Sequence, residues 1–234
     1  MTGKDDMILM YVPAGEFTMG SDNGEEDEKS VHTVYLDAFW IDQTEVTNKM
    51  YAACVAADAC APPATSSSQT QDSYYGNAQF DNYPVIYVTW DDAKAFCAWA
   101  GRRLPTEAEW EKAARGTDER AYPWGNLIKS SLANYYNKVG DTTAAGSYEG
   151  GKSPYGALDM AGNVLEWVSD WYDESYYESS LASNPSGPAR GNLRVLRGGA
   201  WNKSDYSVRS ALRSMQDPTN SDNSIGFRCA LSIP

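Results

Sequence analysis

The sequence predicts an α+β fold of short capped helices, short strands and much irregular loop, and three observations carry the prediction. Two capping boxes, Thr89-Trp-Asp-Asp92 and Thr106-Glu-Ala-Glu109, each open a helix that a glycine closes, at Gly101 and Gly116. Alternating apolar and polar residues mark strands in the N-terminal part. Beyond Gly116 no long helical period returns, and Gly, Asn, Asp and Tyr dominate. The 234 residues are enough for one large domain or two small ones, with a real core. No repeat or linker divides them, so residues 1–234 are read as one domain.

In order along the chain, Ile8 to Gly20 reads as a strand, a Pro-Ala-Gly turn and a second strand. The acidic stretch Asp22 to Glu28 reads as a solvated loop, and His32 to Ile41 as the next strand. Thr47 is placed to cap a helix running through Met50 and Val55. Residues 62–82, rich in Pro, Ser, Thr, Gln and Asn, form a long surface loop. The two boxed helices follow, carrying Phe96 and Trp99 on the first and Trp110 on the second. The rest is short strands and loops held by aromatics.

A formal charge of -13 and a pI of about 4.4 make the chain self-repelling, and a poor partner for nucleic acid or anionic membrane. Its 16 Tyr and 8 Trp suit a loop-rich fold pinned by aromatics, and also binding surfaces. No apolar run reaches the roughly 18 residues that membrane insertion needs. The start, Met-Thr-Gly-Lys-Asp-Asp, is not a signal peptide, and reads as a mature or excised boundary. Four cysteines allow three pairings. Cys54 and Cys60 are near enough to close a small loop, which leaves Cys97 with Cys229; four free thiols are the alternative. Two bridges imply an extracytoplasmic or cell-surface setting, or a thermophile cytoplasm.

One stretch is more specific. Arg194-Val-Leu-Arg-Gly-Gly-Ala-Trp201, followed after a polar run by Ile225-Gly-Phe-Arg-Cys229, resembles the C-terminal signature of the formylglycine-generating enzyme (sulfatase-modifying factor) family. Further blocks occur in family order. They are Val12 to Gly20, Thr44-Glu-Val-Thr-Asn48, Gly101 to Trp110, Tyr122-Pro-Trp-Gly-Asn126, Ala133-Asn-Tyr135 and Gly156 to Trp167, together covering nearly the whole chain. The resemblance implies a fold related to the C-type lectin fold, and a bridge between Cys97 and Cys229. It also implies structural calcium at Asp159 and Glu166 with the carbonyls of Gly162 and Val164, hard oxygen ligands of the right kind. A weaker second site would use Asn134 and the Tyr135 carbonyl, with further ligands near Asp141.

The catalytic parts of the family are missing. Its enzymes bind copper through two cysteine thiolates soon after the Arg-Gly-Gly, a soft site for Cu(I). Ala200 to Ser210 contains no cysteine, so no copper is expected. Relatives with a three-histidine iron site are excluded by the single histidine, His32, read as an ordinary strand residue. The expectation is a non-catalytic binder of a protein or cell-surface ligand. A metal-dependent oxidase or oxygenase with an unrecognised site, and a sensor module from a larger protein such as a kinase, are the alternatives.

Residues 201–224 embed Val208, Ala211 and Leu212 among Asn, Ser, Asp and Tyr, the chemistry of binding loops. The expected contact residues are Trp201, Asn202, Ser204, Asp205, Tyr206, Ser207, Met215, Gln216 and Asn223, with Arg209, Arg213 and Arg228 as scaffold. The 194–234 segment also resembles the variable region of proteins diversified by retroelements. Mutation of adenines in Asn codons there yields Asn, Ser, Asp and Tyr, the residue types found here.

Overall fold

Hydrophobic alternation at the start of the chain becomes two small antiparallel pairings in the computed structural model, which describes residues 1–233; Pro234, the end of the expected domain and binding segment, lies outside them. Strand β1 (Leu9–Val12) pairs with β4 (Phe39–Asp42), and β2 (Gly15–Met19) with β3 (His32–Leu36). The expected single strand His32 to Ile41 is therefore two, in different sheets. Asn184 explains the break: its amide nitrogen donates to the Tyr35 carbonyl at 2.8 Å, and its side chain bonds the Asp37 backbone and carboxylate, both at 2.9 Å. The acidic loop also differs from expectation. Glu26–Glu28 is a single 3-10 turn in which Asp27 and Glu28 are buried, not solvated.

Helices α1 (Asn48–Ala56), α2 (Trp90–Trp99) and α3 (Glu107–Arg115) start where their caps predict. The Thr47, Thr89 and Thr106 hydroxyls each accept a first-turn N–H, and the last two boxes close reciprocally. Helix α3 is buried along its whole length, including Glu107, Glu109, Glu111, Lys112 and Arg115. A short helix with that many buried charges needs partners of opposite sign.

The partners come from several places: Arg197 and Arg213 meet Glu107, Arg197 and Arg115 meet Glu111, Arg103 meets Glu109, and the Pro13 and Gly15 carbonyls take Lys112. Strands β5 (Leu165–Trp171), β6 (Arg194–Arg197), β7 (Ser214–Gln216) and β8 (Ile225–Phe227) form a sheet in the order β7-β6-β5-β8, with β5 and β8 parallel. Strand β9 (Ala230–Ser232) crosses back to pair with β4, tying the two ends of the chain together. The two largest apolar clusters fill the interior, one around Tyr51, Phe96, Trp167 and Phe227, the other around Phe39, Trp110 and Val168. Both expected bridges form: Cys54–Cys60 closes the turn after α1, and Cys97–Cys229 fastens α2 to the link between β8 and β9.

Candidate functional site

Polar residues between β6 and β8 build a loop pinned from beneath by buried Trp201, Val208, Ala211 and Arg213, and held by arginine pairs. Arg197 donates to Glu111 at 2.6 Å and Glu107 at 3.2 Å, and holds the carbonyls of Ser210 and Ala211 at 2.7 and 3.0 Å. Arg213 donates to both oxygens of Glu107 at 2.8 and 3.1 Å. Arg209 forks onto Glu28 at 2.9 and 2.6 Å. Burial pushes the Glu107 carboxyl up, but Arg213 and Arg197 outweigh it and leave it below its usual value. The loop is thus clamped onto α3 and the 26–28 turn by pairs whose partners lie far away in sequence. Gly199 makes the clamp possible, because at φ +68 a Cβ there would stand 2.5 Å from the Ser207 carbonyl oxygen.

The expected contact residues then separate. Asp205, Tyr206 and Met215 are exposed; Asn202, Ser204, Ser207, Gln216 and Asn223 are half-buried. Trp201 is not a contact residue in this geometry. It is 4% exposed, and its indole N–H donates to the Asn223 carbonyl at 3.1 Å, so it props the loop from beneath. Asn202 to Ser207 share one loop, with the Ser204 and Ser207 hydroxyls 3.0 Å apart. Met215 and Gln216 instead occupy the edge strand β7, and the Asn223 side chain donates to Gln69 at 2.7 Å.

Sequence reasoning missed the other wall. An open groove of about 550 Å³ is lined by Ser130, Tyr135, Tyr136, Lys138 and Asp205. Beside it Tyr122 and Trp124 stack at 5.6 Å, and the Tyr122 hydroxyl donates to the Asp205 carbonyl at 3.3 Å. The adjacent tyrosines Tyr135 and Tyr136 were the available signal.

Among the expected calcium ligands, Glu166 is already engaged. Both oxygens of Glu166 are taken by Arg228 at 2.7 Å, and one also accepts the Trp110 indole N–H at 2.7 Å. A guanidinium in that position repels a cation. One carboxylate oxygen of the nearby Glu45, outside the expected set, is buried without a partner. Burial raises both Glu45 and Asp159, which lie near each other. Gly162 serves packing: at φ +84, a Cβ there would stand 2.2 Å from the Asn134 carbonyl oxygen. Val164 is likewise buried against the core. At the second expected site most groups are likewise engaged. Asp141 spends its carboxylate on Ser68, Thr70 and the Thr142 amide, and the Tyr135 carbonyl accepts the Lys138 N–H. Asn134 Oδ1 is left without a partner, far short of the six to eight oxygens calcium takes. Among the described residues, no group of three His, Cys, Asp or Glu side chains converges. His32 lies on β3 with its ring against Tyr177.

The sequence matches the model of the sulfatase-modifying factor enzyme 1-like domain over residues 3–233. It is 36% identical over 247 residues to the serine/threonine-protein kinase pkn1 of Chlamydia caviae, covering 96% of this chain and 38% of the kinase. The chain therefore spans well under half the length of that relative. It is 37% identical over 276 residues to the formylglycine-generating enzyme of Streptomyces coelicolor, covering 94% of this chain and 87% of the enzyme. Among solved structures, PvdO from Pseudomonas aeruginosa superposes with a TM-score of 0.83 at 27% identity, covering 98% of this chain and 96% of PvdO. Variable protein 1 of Treponema denticola superposes with a TM-score of 0.80 at 26% identity, covering 95% of this chain and 94% of its own.

Proposed function

We propose that this chain, which belongs to the sulfatase-modifying factor enzyme family, is a non-catalytic recognition domain that binds a protein or cell-surface ligand through its C-terminal segment. Its fold is the C-type-lectin-like fold of the formylglycine-generating enzyme type. One observation carries the proposal: the division of labour in the 194–229 segment. Trp201, Val208, Arg213 and Arg228 are buried pins, and Arg209 is held by Glu28, while Asp205, Tyr206 and Met215 face solvent. A surface whose exposed side chains carry little of the fold can change its ligand without changing its scaffold. The copper chemistry of the family needs two free thiolates, and all four cysteines here are bridged.

Likeness to a protein named as variable supports a further step, that the exposed positions are diversified. Likeness to a chlamydial kinase supports a second reading, in which such a domain is the sensor module of a larger protein.

The test is retention of the labelled domain on arrays of extracellular proteins and glycans. Asp205→Ala with Tyr206→Ala is expected to abolish retention at the cost of only a lost local cap, a melting-temperature drop of a few degrees at most. Retention equal to the parent's, on every ligand found, sinks the assignment of the surface.

A further inference from the structure

We infer that the 122–139 segment supplies a fixed half of the ligand surface, and that it accepts an acidic protein segment carrying aliphatic side chains. The inference rests on the recognition reading above and adds both a second wall and a ligand chemistry.

The first observation is strain. Tyr136 and Asn137 are consecutive non-glycine residues at φ +56 and +54. Left-handed backbone is unfavourable for such residues, for a tyrosine above all, and persists only where the surroundings impose it. Here two backbone bonds impose it: the Tyr136 N–H donates to the Lys203 carbonyl and the Asn137 N–H to the Trp201 carbonyl, each at 2.8 Å. The contact segment therefore holds the tip in this shape, and the shape leaves the Tyr136 side chain 70% exposed.

The second observation is the company it keeps. Leu127 is 74% exposed and Val139 51%, on the same short segment as Tyr136, and Tyr206, next in sequence to the groove-lining Asp205, is 41% exposed. Exposed leucine, valine and tyrosine together are unusual on a free surface and typical of a protein interface. Sugars stack on the tyrosine ring but gain little from the aliphatic side chains, so the pair favours a polypeptide over a glycan.

The third is charge. The chain carries a formal -13, yet Arg120 to Gly140 contains Arg120, Lys129 and Lys138 and no Asp or Glu. Arg120 is paired with Asp118, which leaves the lysines. Lys138 lines the groove and gives one ammonium proton to the Ser130 carbonyl; Lys203 is exposed on the loop that holds Tyr136. Asp205 is the acidic group in the groove lining, and its Oδ1 accepts the Tyr206 N–H. A basic spot on an otherwise acidic molecule steers an acidic partner to that place.

The experiment is fluorescence anisotropy with two labelled decapeptide pools, Glu/Leu-rich and Lys/Leu-rich, and with a neutral oligosaccharide pool. The Glu/Leu pool is expected to bind, and to weaken as salt is raised. Tyr136→Asn keeps a residue that tolerates left-handed backbone while deleting the ring; it is expected to weaken binding roughly tenfold or more with no change in melting temperature. Lys138→Glu is expected to weaken it and flatten the salt dependence. Preference for the basic or glycan pool, no binding by any pool, or acidic binding indifferent to both variants overturns the inference. A ligand that needs Asp205 and Tyr206 but not Tyr136 or Lys138 also overturns it, while leaving the recognition reading intact.

Discussion

Glu107→Gln tests whether the loop is truly clamped to α3. Glu107 is buried and accepts four hydrogen bonds: two from Arg213 at 2.8 and 3.1 Å, one from Arg197 at 3.2 Å and one from the Tyr177 hydroxyl at 3.3 Å. Gln keeps the shape, removes the charge, and turns an amide N–H₂ toward a guanidinium. Glu111 then remains for Arg197 and Arg115, while Arg213 keeps only the Asp27 and Asp173 carbonyls. At about 4 Å and an effective dielectric near 20, each lost attraction is of order 4 kcal/mol, and removing one partner of a buried pair costs roughly 3–5 kcal/mol. The loss should be read from the urea midpoint at neutral pH, with the slope unchanged. Adding Arg213→Met should recover part of it, so the two changes are not additive. A loss under about 1 kcal/mol, or strict additivity, refutes the clamp.

Trp201→Ala should cost about 3–5 kcal/mol, from cavity formation and the lost bond to Asn223, while Tyr206→Ala stays within about 0.5 kcal/mol; equal losses in chemical denaturation contradict the placement of the two rings. Burial, then repulsion from Glu107, pushes Asp170 up to about 7 from its ordinary 3.8. The folded state thus holds that proton more tightly than the unfolded chain, so the stability from this group is full below pH about 4, falls as pH rises to about 7, and is flat above. The span is worth at most about 4 kcal/mol, and Asp170→Asn should remove that decline from the pH–stability curve; an unchanged curve refutes it. Cys97 and Cys229 are 132 residues apart and Cys54 and Cys60 six apart, so paired Cys→Ala replacement should cost about 4–5 kcal/mol for the first bridge and about 2 for the second; the reverse order in thermal or urea melts contradicts the loop-entropy account.

Local chemistry was legible in the sequence where a few neighbouring residues decide it. Thr47, Thr89 and Thr106 announce their helices because a cap is a contact over three residues. The scaffold role of Arg213 and Arg228 was readable because a buried guanidinium must find carboxylates or carbonyls. What stayed hidden depends on partners remote in the chain. Glu28 belongs to an acidic run, and nothing beside it says that Arg209 lies against it. The strand after His32 breaks because of Asn184. Glu166 looked like a cation ligand until Arg228 met it. Trp201 sits in a polar run that reads equally as display or as support, and only its bond to Asn223 decides. The Tyr136 tip is set by carbonyls of the 201–203 segment, a tertiary cause that a Tyr-Tyr-Asn triplet only hints at.

The claim at the centre is that the exposed side chains of the C-terminal segment are free to change while the buried ones beneath them are not. Deep sequencing of the codons for residues 194–234 in the source population tests it directly. The prediction is adenine-directed variation at Asn202, Ser204, Asp205, Tyr206, Ser207, Met215, Gln216 and Asn223, with Trp201, Arg209 and Arg213 unchanged. An invariant segment, or replacement at Trp201, Arg209 and Arg213 as frequent as at Tyr206, contradicts it.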